Sequence, residues 1–238
     1  MILEIDAGNT FIKWRCRRAP DRILARGRWL TAEFSEACLK DCPHHPQQVW
    51  ASSVAGPGFE QRLSAAVASC WQVPVRFART AAATAGVRNS YADPSRMGVD
   101  RWLVMLAAWQ RHQAPCCIVD CGSAITVDLL DARGWHEGGY ILPGLRLMRQ
   151  VLEGATAGIQ VDREISEFDL SPGRDTSSAV VQGTNMAFAA LAHWLEDRSA
   201  NRHLLVTGGD GKLFRQLAGG QGEFVPDLVL DGLRWALE

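Results

Sequence analysis

Two stretches of this chain read almost alike: EIDAGNT at residues 4–10 and VDCGSAIT at residues 119–126. In each, apolar residues lead into an Asp, then a small residue, a Gly, and a hydroxyl or amide side chain. A second apolar run follows each turn. Asp6 and Asp120 stand 114 residues apart. Repeats of about 20–50 residues build solenoids; a period this long means two similar domains instead. A glycine turn at a strand end exposes consecutive backbone N–H groups, which hold anions such as phosphate. An Asp there can hold magnesium, a hard cation that takes oxygen ligands. One such turn is commonplace. Two in equivalent places, with a later TGGDG turn, point to one shared use.

The elements between the turns follow from periodicity. ILEI and FIKWRCR read as strand, tight turn, strand, with Gly and Asn supplying the turn chemistry, and a third strand lies near Ala25 to Leu30. Helical spacing covers Thr31 to Leu39, with Thr31 as its N-cap. QVWASSV is a strand, FEQRLSAAVASCW an amphipathic helix and VPVRFA a strand. The first hundred residues therefore run β-β-β-α-β-α-β. A polar, turn-rich stretch, VRNSYADPSRMGVDR, precedes the strong helix WLVMLAAWQRH. Then the pattern returns: CCIVDCGSAITVDLLD is strand, turn, strand, and GWHEGGYILPGL brings a third strand. LRLMRQVLEGAT and GRDTSSAVVQGTNMAFAALAHWLEDR are helical, HLLVTGGDG is a strand ending in a glycine turn, LFRQLAGG is a short helix, and DLVLDGLRWALE closes the chain. No Gly/Ser-rich linker separates the halves. The join falls near His112 to Pro115, giving units 1–114 and 115–238.

Composition excludes several classes. The 238 residues are 47% hydrophobic with a net charge of −1, so no global basic field suggests nucleic acid as a partner. No apolar run reaches the roughly 18 residues of a membrane span. The N-terminus has no basic stretch followed by a signal-like apolar core, so the expected location is cytoplasmic. Seven cysteines, an odd number without a secreted framework, are expected as reduced thiols. Cys38, Cys42, His44 and His45 lie close together, but a zinc site usually shows two well-spaced ligand pairs; a helix end followed by a loop is the preferred reading. Nine tryptophans serve a core or an interface.

No GxxxxGK[ST] and no GxGxxG after the first strand are present, which excludes a P-loop kinase and a dinucleotide-binding domain. The protein-kinase HRD and DFG set is also missing. The duplicated plan, with DxGNT, DxGSAxT and a late GG turn, resembles the sugar kinase, hsp70 and actin superfamily. More narrowly, EIDAGNTFIKW, MGVDRW at 97–102, VDCGSAITVD at 119–128, GGYILPGL at 138–145 and the QGTNMA region resemble the type III pantothenate kinases, the Bvg accessory factor-like family. The resemblance runs from residue 2 to about 211.

It implies an α/β fold of two duplicated ribonuclease H-like (actin-like ATPase) domains, each a mixed sheet flanked by helices, with a nucleotide cleft between them. It also implies an ATP-dependent kinase that makes 4′-phosphopantothenate from pantothenate, the first step of coenzyme A synthesis. By position, Asp6, Ala7, Gly8, Asn9, Thr10, Phe11, Ile12 and Lys13 would surround the ATP phosphates, and Gly122, Ser123, Ala124 and Thr126 would form a second phosphate loop. Gly208 and Gly209 would lie near adenosine. Asp100 would be the catalytic base, and Tyr91, Gly98, Val99, Arg101 and Thr176 would hold pantothenate. Asp6 and Asp120 would hold magnesium, and Asp128 a monovalent cation, potassium or ammonium.

The resemblance implies a homodimer too. The apolar helix WLVMLAAW suits either that interface or the chain's own core. Read without the resemblance, Asp100 and Arg101 look like an ordinary solvated pair. Two alternatives remain: a regulatory protein of the same fold without catalysis, and a kinase for another small alcohol, because fold alone does not fix the substrate.

Overall fold

The computed structural model describes residues 1–18, 22–156, 158–159, 161 and 168–238. They divide into two compact units. The first holds Met1–Gln113, Arg133–His136 and Asp227–Glu238; the second holds Ala114–Ala132 and Glu137–Pro226.

The first unit is built on β1 (Ile2–Ala7), β2 (Phe11–Arg18), β3 (Arg22–Leu30), β4 (Gln48–Ser53) and β5 (Val75–Phe77), in the spatial order β3-β2-β1-β4-β5. β1 to β3 are antiparallel neighbours, whereas β4 and β5 run parallel to β1. Strand side chains alternate between faces, so one register settles which residues meet the core. Leu3, Ile5 and Ala7 pair with Cys16, Trp14 and Ile12 on the buried face. Glu4 pairs with Arg15, and Asp6 with Lys13, on the opposite face. The buried face packs against α1 (Pro57–Trp71), which contributes Phe59, Leu63, Ala66 and Val67. Trp14 stacks on Trp29 at 5.3 Å, and Trp29, Phe34 and Phe59 continue the aromatic chain.

A short hairpin, β6 (Ala83–Thr84) and β7 (Val87–Arg88), leads to α2 (Val99–His112). α2 and the C-terminal helix cover the charged face of the sheet. Residues Trp102 through Ala108 are buried there, so WLVMLAAW belongs to the core of this unit and is not a free surface for a second copy.

The second unit repeats the plan. β8 (Cys116–Cys121), β9 (Ala124–Leu130), β10 (His136–Pro143), β11 (His203–Thr207) and β12 (Glu223–Phe224) stand in the order β10-β9-β8-β11-β12. β8 and β9 are antiparallel, and β8, β11 and β12 are parallel. Cys117, Val119, Cys121, Ile125 and Val127 face a core shared with α4 (Thr176–Ser199) and α5 (Gly211–Leu217), where Phe188 meets Phe214 edge to face at 5.4 Å. α3 (Leu145–Ala155) lies along α4.

Three expectations change. Thr31 to Leu39 is not one helix but two 3-10 turns, Thr31–Glu33 and Glu36–Asp41. Thr31 is used otherwise than as a cap: its N–H donates to Thr10 O and its hydroxyl to Gly8 O, and Phe34 then turns into the core. Second, α6 (Leu228–Leu237) lies in the first unit rather than in a continuous 115–238 domain. Its buried Leu228, Val229, Leu230 and Leu233 pack along α2, and Gly232 touches the α2 backbone so closely that a Cβ would overlap Leu103 O. Third, Arg133–His136 joins the first unit as well.

All seven cysteines are free thiols. Among the described residues no group of three or more His, Cys, Asp and Glu is placed to hold a metal ion. Cys42 Sγ lies 2.7 Å from Cys16 Sγ and donates to His44 O, which leaves the Cys38, Cys42, His44, His45 stretch as a loop after a 3-10 turn. No described helix is long and apolar enough to cross a membrane.

Candidate active site

Asp6 closes the central strand of the first unit. On its two flanks the register places Lys13 of β2 and Ser52 of β4. Ser52 Oγ donates to Asp6 Oδ1 at 2.9 Å. Burial raises the Asp6 carboxyl from its ordinary 3.8 to about 6. The Ser52 bond and the Lys13 charge pull it down, and the Asp100 and Asp227 charges push it up. Both carboxylates therefore lie within electrostatic reach of Asp6. After Asp6 the chain turns sharply: Gly8 N–H donates to Phe11 O at 3.0 Å, and a Cβ on Gly8 would press on the same oxygen at 3.1 Å. Asn9 and Phe11 are exposed at the turn, Thr10 and Lys13 are half-buried, and Ala7 and Ile12 point into the core. Ala7 and Ile12 thus offer a ligand backbone only.

Asp120 occupies the matching place in the second unit. Its flanking residues by register are Thr126 of β9 and Thr207 of β11. The turn that follows is tied at Gly122 N–H to Ala124 O, 3.0 Å. Two glycines lie against it. Gly208, at φ +89°, approaches so closely that a Cβ would overlap Cys121 O and stand 2.5 Å from Asp120 Oδ1. Gly144 N–H donates to Ser123 O at 3.0 Å. The Gly208 turn and the 120–126 turn are thereby one assembly, with Gly209 and the Ser123 side chain exposed beside it. Asp128 shares the strand face of Asp120 and Thr126 and is fully buried. Next to this assembly, burial raises the Asp210 carboxyl, and the Arg149 charge opposes the rise.

A second constellation in the first unit forms where a loop meets the start of α2. Gly98 is the residue before the helix, and a Cβ there would stand 2.5 Å from Asp100 Oδ1. That oxygen accepts the Arg101 N–H at 2.8 Å. Val99 turns inward. Arg101 is buried, not the solvated neighbour that its sequence suggests, and its Nη1 donates to Tyr91 Oη at 2.8 Å. Tyr91 is held in turn by Asn89 Oδ1, which accepts its N–H at 2.9 Å, and by the ring of His136 at 6.2 Å. His136 is itself buried, with Ser90 Oγ 2.9 Å from its Nδ1.

Thr176 does not join the turn assembly of its own unit. It is the exposed first residue of α4, behind the Asp175 cap, and lines an apolar groove with Met148, Val151 and Val180.

Sequence reasoning missed Ser52, His136, Ser90, Gly144 and Asp210. Gly144 and Asp210 stand in the quoted GGYILPGL and TGGDG stretches, which was their only signal. Ser52 and His136 are brought in by strand pairing and by chain return.

The repeated 3-2-1-4-5 sheet with an Asp and a glycine turn ending each central strand is the fold of the sugar kinases and actin-like ATPases. Solved structures agree on the fold. A candidate 2-dehydro-3-deoxygalactonokinase from Sinorhizobium meliloti superposes with a TM-score of 0.58 at 13% identity, covering 99% of this chain and 98% of that one. A candidate transcriptional activator of the Baf family from Campylobacter jejuni gives 0.57 at 18% identity, covering 98% and 95%. Sequence narrows the class. Residues 2–197 match the family model described as type III pantothenate kinase. Proteins named type III pantothenate kinase from Marinobacter nauticus and Cellvibrio japonicus are 37% and 36% identical, covering 98% of this chain and 96% and 95% of theirs. The chain belongs to the type III pantothenate kinase family.

Proposed function

We propose that this chain transfers the γ-phosphoryl group of ATP to the primary hydroxyl of pantothenate, giving 4′-phosphopantothenate and ADP, the first step of coenzyme A synthesis. Membership of the family carries the substrate. The Gly98, Asp100, Arg101, Tyr91 constellation carries the chemistry.

Phosphoryl transfer asks a protein for positioning, charge neutralisation and a proton acceptor. Asp100 is the acceptor. Its Oδ1 is fixed by the Arg101 N–H, which leaves the carboxylate aimed rather than rotating. A base must come within hydrogen-bond reach of the proton that it takes, and Gly98 leaves the space beside it open. Arg101, fixed by Tyr91, presents a planar cation of the kind that pairs with a carboxylate such as that of pantothenate. Val99 shapes the helix start, and Thr176 is carried as a further pantothenate contact.

The backbone N–H groups of residues 7–12 and 122–126 bind phosphate oxygens, Lys13 adds a charge, and Gly208 and Gly209 leave room for the nucleoside. Asp6 suits a magnesium ion: it is an oxygen ligand beside a hydroxyl, in surroundings where burial without a cation raises its carboxyl to about 6. Asp120 is the second such ligand. Magnesium bound there would neutralise charge on the β- and γ-phosphates. Asp128 is assigned a potassium or ammonium ion, tested by comparing turnover in potassium with turnover in sodium. The reading includes a cytoplasmic homodimer without nucleic acid or membrane as partner.

The test of the phosphate site is Asp6→Ala. Its KM for ATP and its magnesium requirement should both rise. Unchanged nucleotide kinetics would contradict the assignment.

A further inference from the structure

Two sulfurs meet in the core of the first unit. Cys16 lies on the buried face of β2, between Leu3 of β1 and Ala25 of β3, and is fully buried. Cys42 follows the 3-10 turn Glu36–Asp41, and its N–H donates to Leu39 O at 3.1 Å. The two Sγ atoms stand 2.7 Å apart. We propose that Cys16 and Cys42 are a peroxide-sensitive dithiol, a modification site at which a hydroperoxide converts the pair into a disulfide.

A disulfide forms only where two side chains aim at one another; sulfurs that point apart cannot be bridged without backbone movement. Here the condition is met between residues 26 apart in the chain. Closing to the ordinary bond length asks an approach of about 0.7 Å. Both residues belong to one apolar cluster, which also holds Trp14, Trp29, Phe34 and Leu39, so the bond forms within existing packing.

The thiolate is the form of cysteine that attacks. The hydrogen bond with Cys16 draws the Cys42 thiol down to about 7, against the effect of burial, and the same contact holds the Cys16 thiol up. Cys42 is also the sulfur nearer solvent. Asp41, Pro43 and His44 beside it are exposed, and it ends a 3-10 turn, whose hydrogen-bond geometry is poorer than that of an α-helix. In the second unit, burial raises the Cys116 thiol to about 11 and the Cys117 thiol to about 12, and raises Cys121 as well. Buried, raised thiols of that kind are inert.

The chemistry balances with hydrogen peroxide as oxidant. The Cys42 thiolate attacks one peroxide oxygen, the O–O bond breaks, hydroxide leaves, and Cys42 becomes a sulfenic acid. The Cys16 thiol then attacks the Cys42 sulfur, the S–O bond breaks, and the departing oxygen leaves as water with the Cys16 proton. Two thiols thus give up two electrons and two protons, and the peroxide is reduced to two waters. The cross-link has a structural consequence. Thr31, at the start of the same segment, donates to Gly8 O and Thr10 O. The disulfide would fasten the far end of that segment to β2, the strand that leaves the Gly8–Thr10 turn. Cys16 faces the core and Lys13 the opposite face, so the bond forms away from Lys13.

The experiment treats the folded full chain with hydrogen peroxide, in a Cys38→Ser/Cys70→Ser background that removes the two partly exposed thiols. Free-thiol titration, peptide mapping by mass spectrometry and thermal unfolding are the readouts. Two thiols should disappear, one mapped peptide should join Cys16 to Cys42, and dithiothreitol should restore both thiols. The unfolding midpoint of the oxidised form should stand about 5 °C or more above that of the reduced form. Cys42→Ala should abolish the cross-linked peptide and the shift, and Cys16→Ala gives the same reading if Cys42→Ala folds poorly. No loss of thiols in the folded chain, oxidation that stops at a sulfinic acid on Cys42, or a disulfide from Cys42 to any other cysteine would each overturn the proposal. Pantothenate turnover is not among the readouts, so failure here and failure of the kinase reading are separate results.

Discussion

Gly98 shows how a residue without a side chain decides where a carboxylate points. A methyl group there would meet Asp100 Oδ1 at 2.5 Å, so Gly98→Ala must rotate the Asp100 carboxylate off its Arg101 N–H bond. We predict that this variant folds normally and loses at least tenfold in kcat, because small displacements of reacting groups carry large rate penalties. Circular dichroism and steady-state kinetics on one preparation check both halves.

Asp6 supports a prediction of opposite sign for stability. With its carboxyl raised from 3.8 to about 6, the folded, metal-free protein holds a proton that the unfolded chain has already released. Stability therefore falls as pH rises from about 4 to 6, and the loss persists above that window. Asp6→Asn removes this term. Without magnesium it should be more stable than the parent at pH 7, equal to it near pH 4, and inactive. Denaturant midpoints at both pH values decide the matter, and a variant that tracks its parent throughout would refute the assignment. At this scale the sequence was legible in the repeated motif: EIDAGNT and VDCGSAIT announced an Asp and a glycine turn at the end of a strand in each unit. It was silent on Arg101, whose burial depends on Tyr91 ten residues earlier, and on Ser52, which meets Asp6 only through a parallel register.

Helices and turns were legible where one apolar face repeats long enough to dominate. α1, α2 and α4 follow directly from the sequence. The stretch after Thr31 did not, because the hydrogen bonds of Thr31 go to the Gly8–Thr10 turn instead of to a helix of its own. That use makes the segment a buttress for the Gly8–Thr10 turn. Gly208 is the corresponding device in the second unit. Gly208→Ala places a side chain at φ +89° against the Asp120 turn. It should cost about 1–3 kcal/mol of stability and raise the KM for ATP. Gly232→Ala instead forces α6 off α2, so it should cost about 1–3 kcal/mol by overpacking and leave the KM for ATP near the parent value. Thermal unfolding beside ATP kinetics separates the two.

Across the whole molecule, the repeat at Asp6 and Asp120 foretold two sheets of one order, and the structure gives 3-2-1-4-5 twice. What the repeat did not reveal is that the last helix returns to the first unit. Chain order suggests a continuous second half, but the buried leucines of α6 find their partners on α2. The substrate is least legible of all from fold physics, because many small alcohols are phosphorylated on this architecture; MGVDRW and its family resemblance supplied it.

The decisive measurement is ADP release from ATP by the purified chain, with and without pantothenate, beside Asp100→Asn. Pantothenate should raise turnover far above the background of ATP hydrolysis, and Asp100→Asn should nearly abolish that increment while remaining folded. Full pantothenate-dependent activity in Asp100→Asn, or none in the parent, would contradict the assignment.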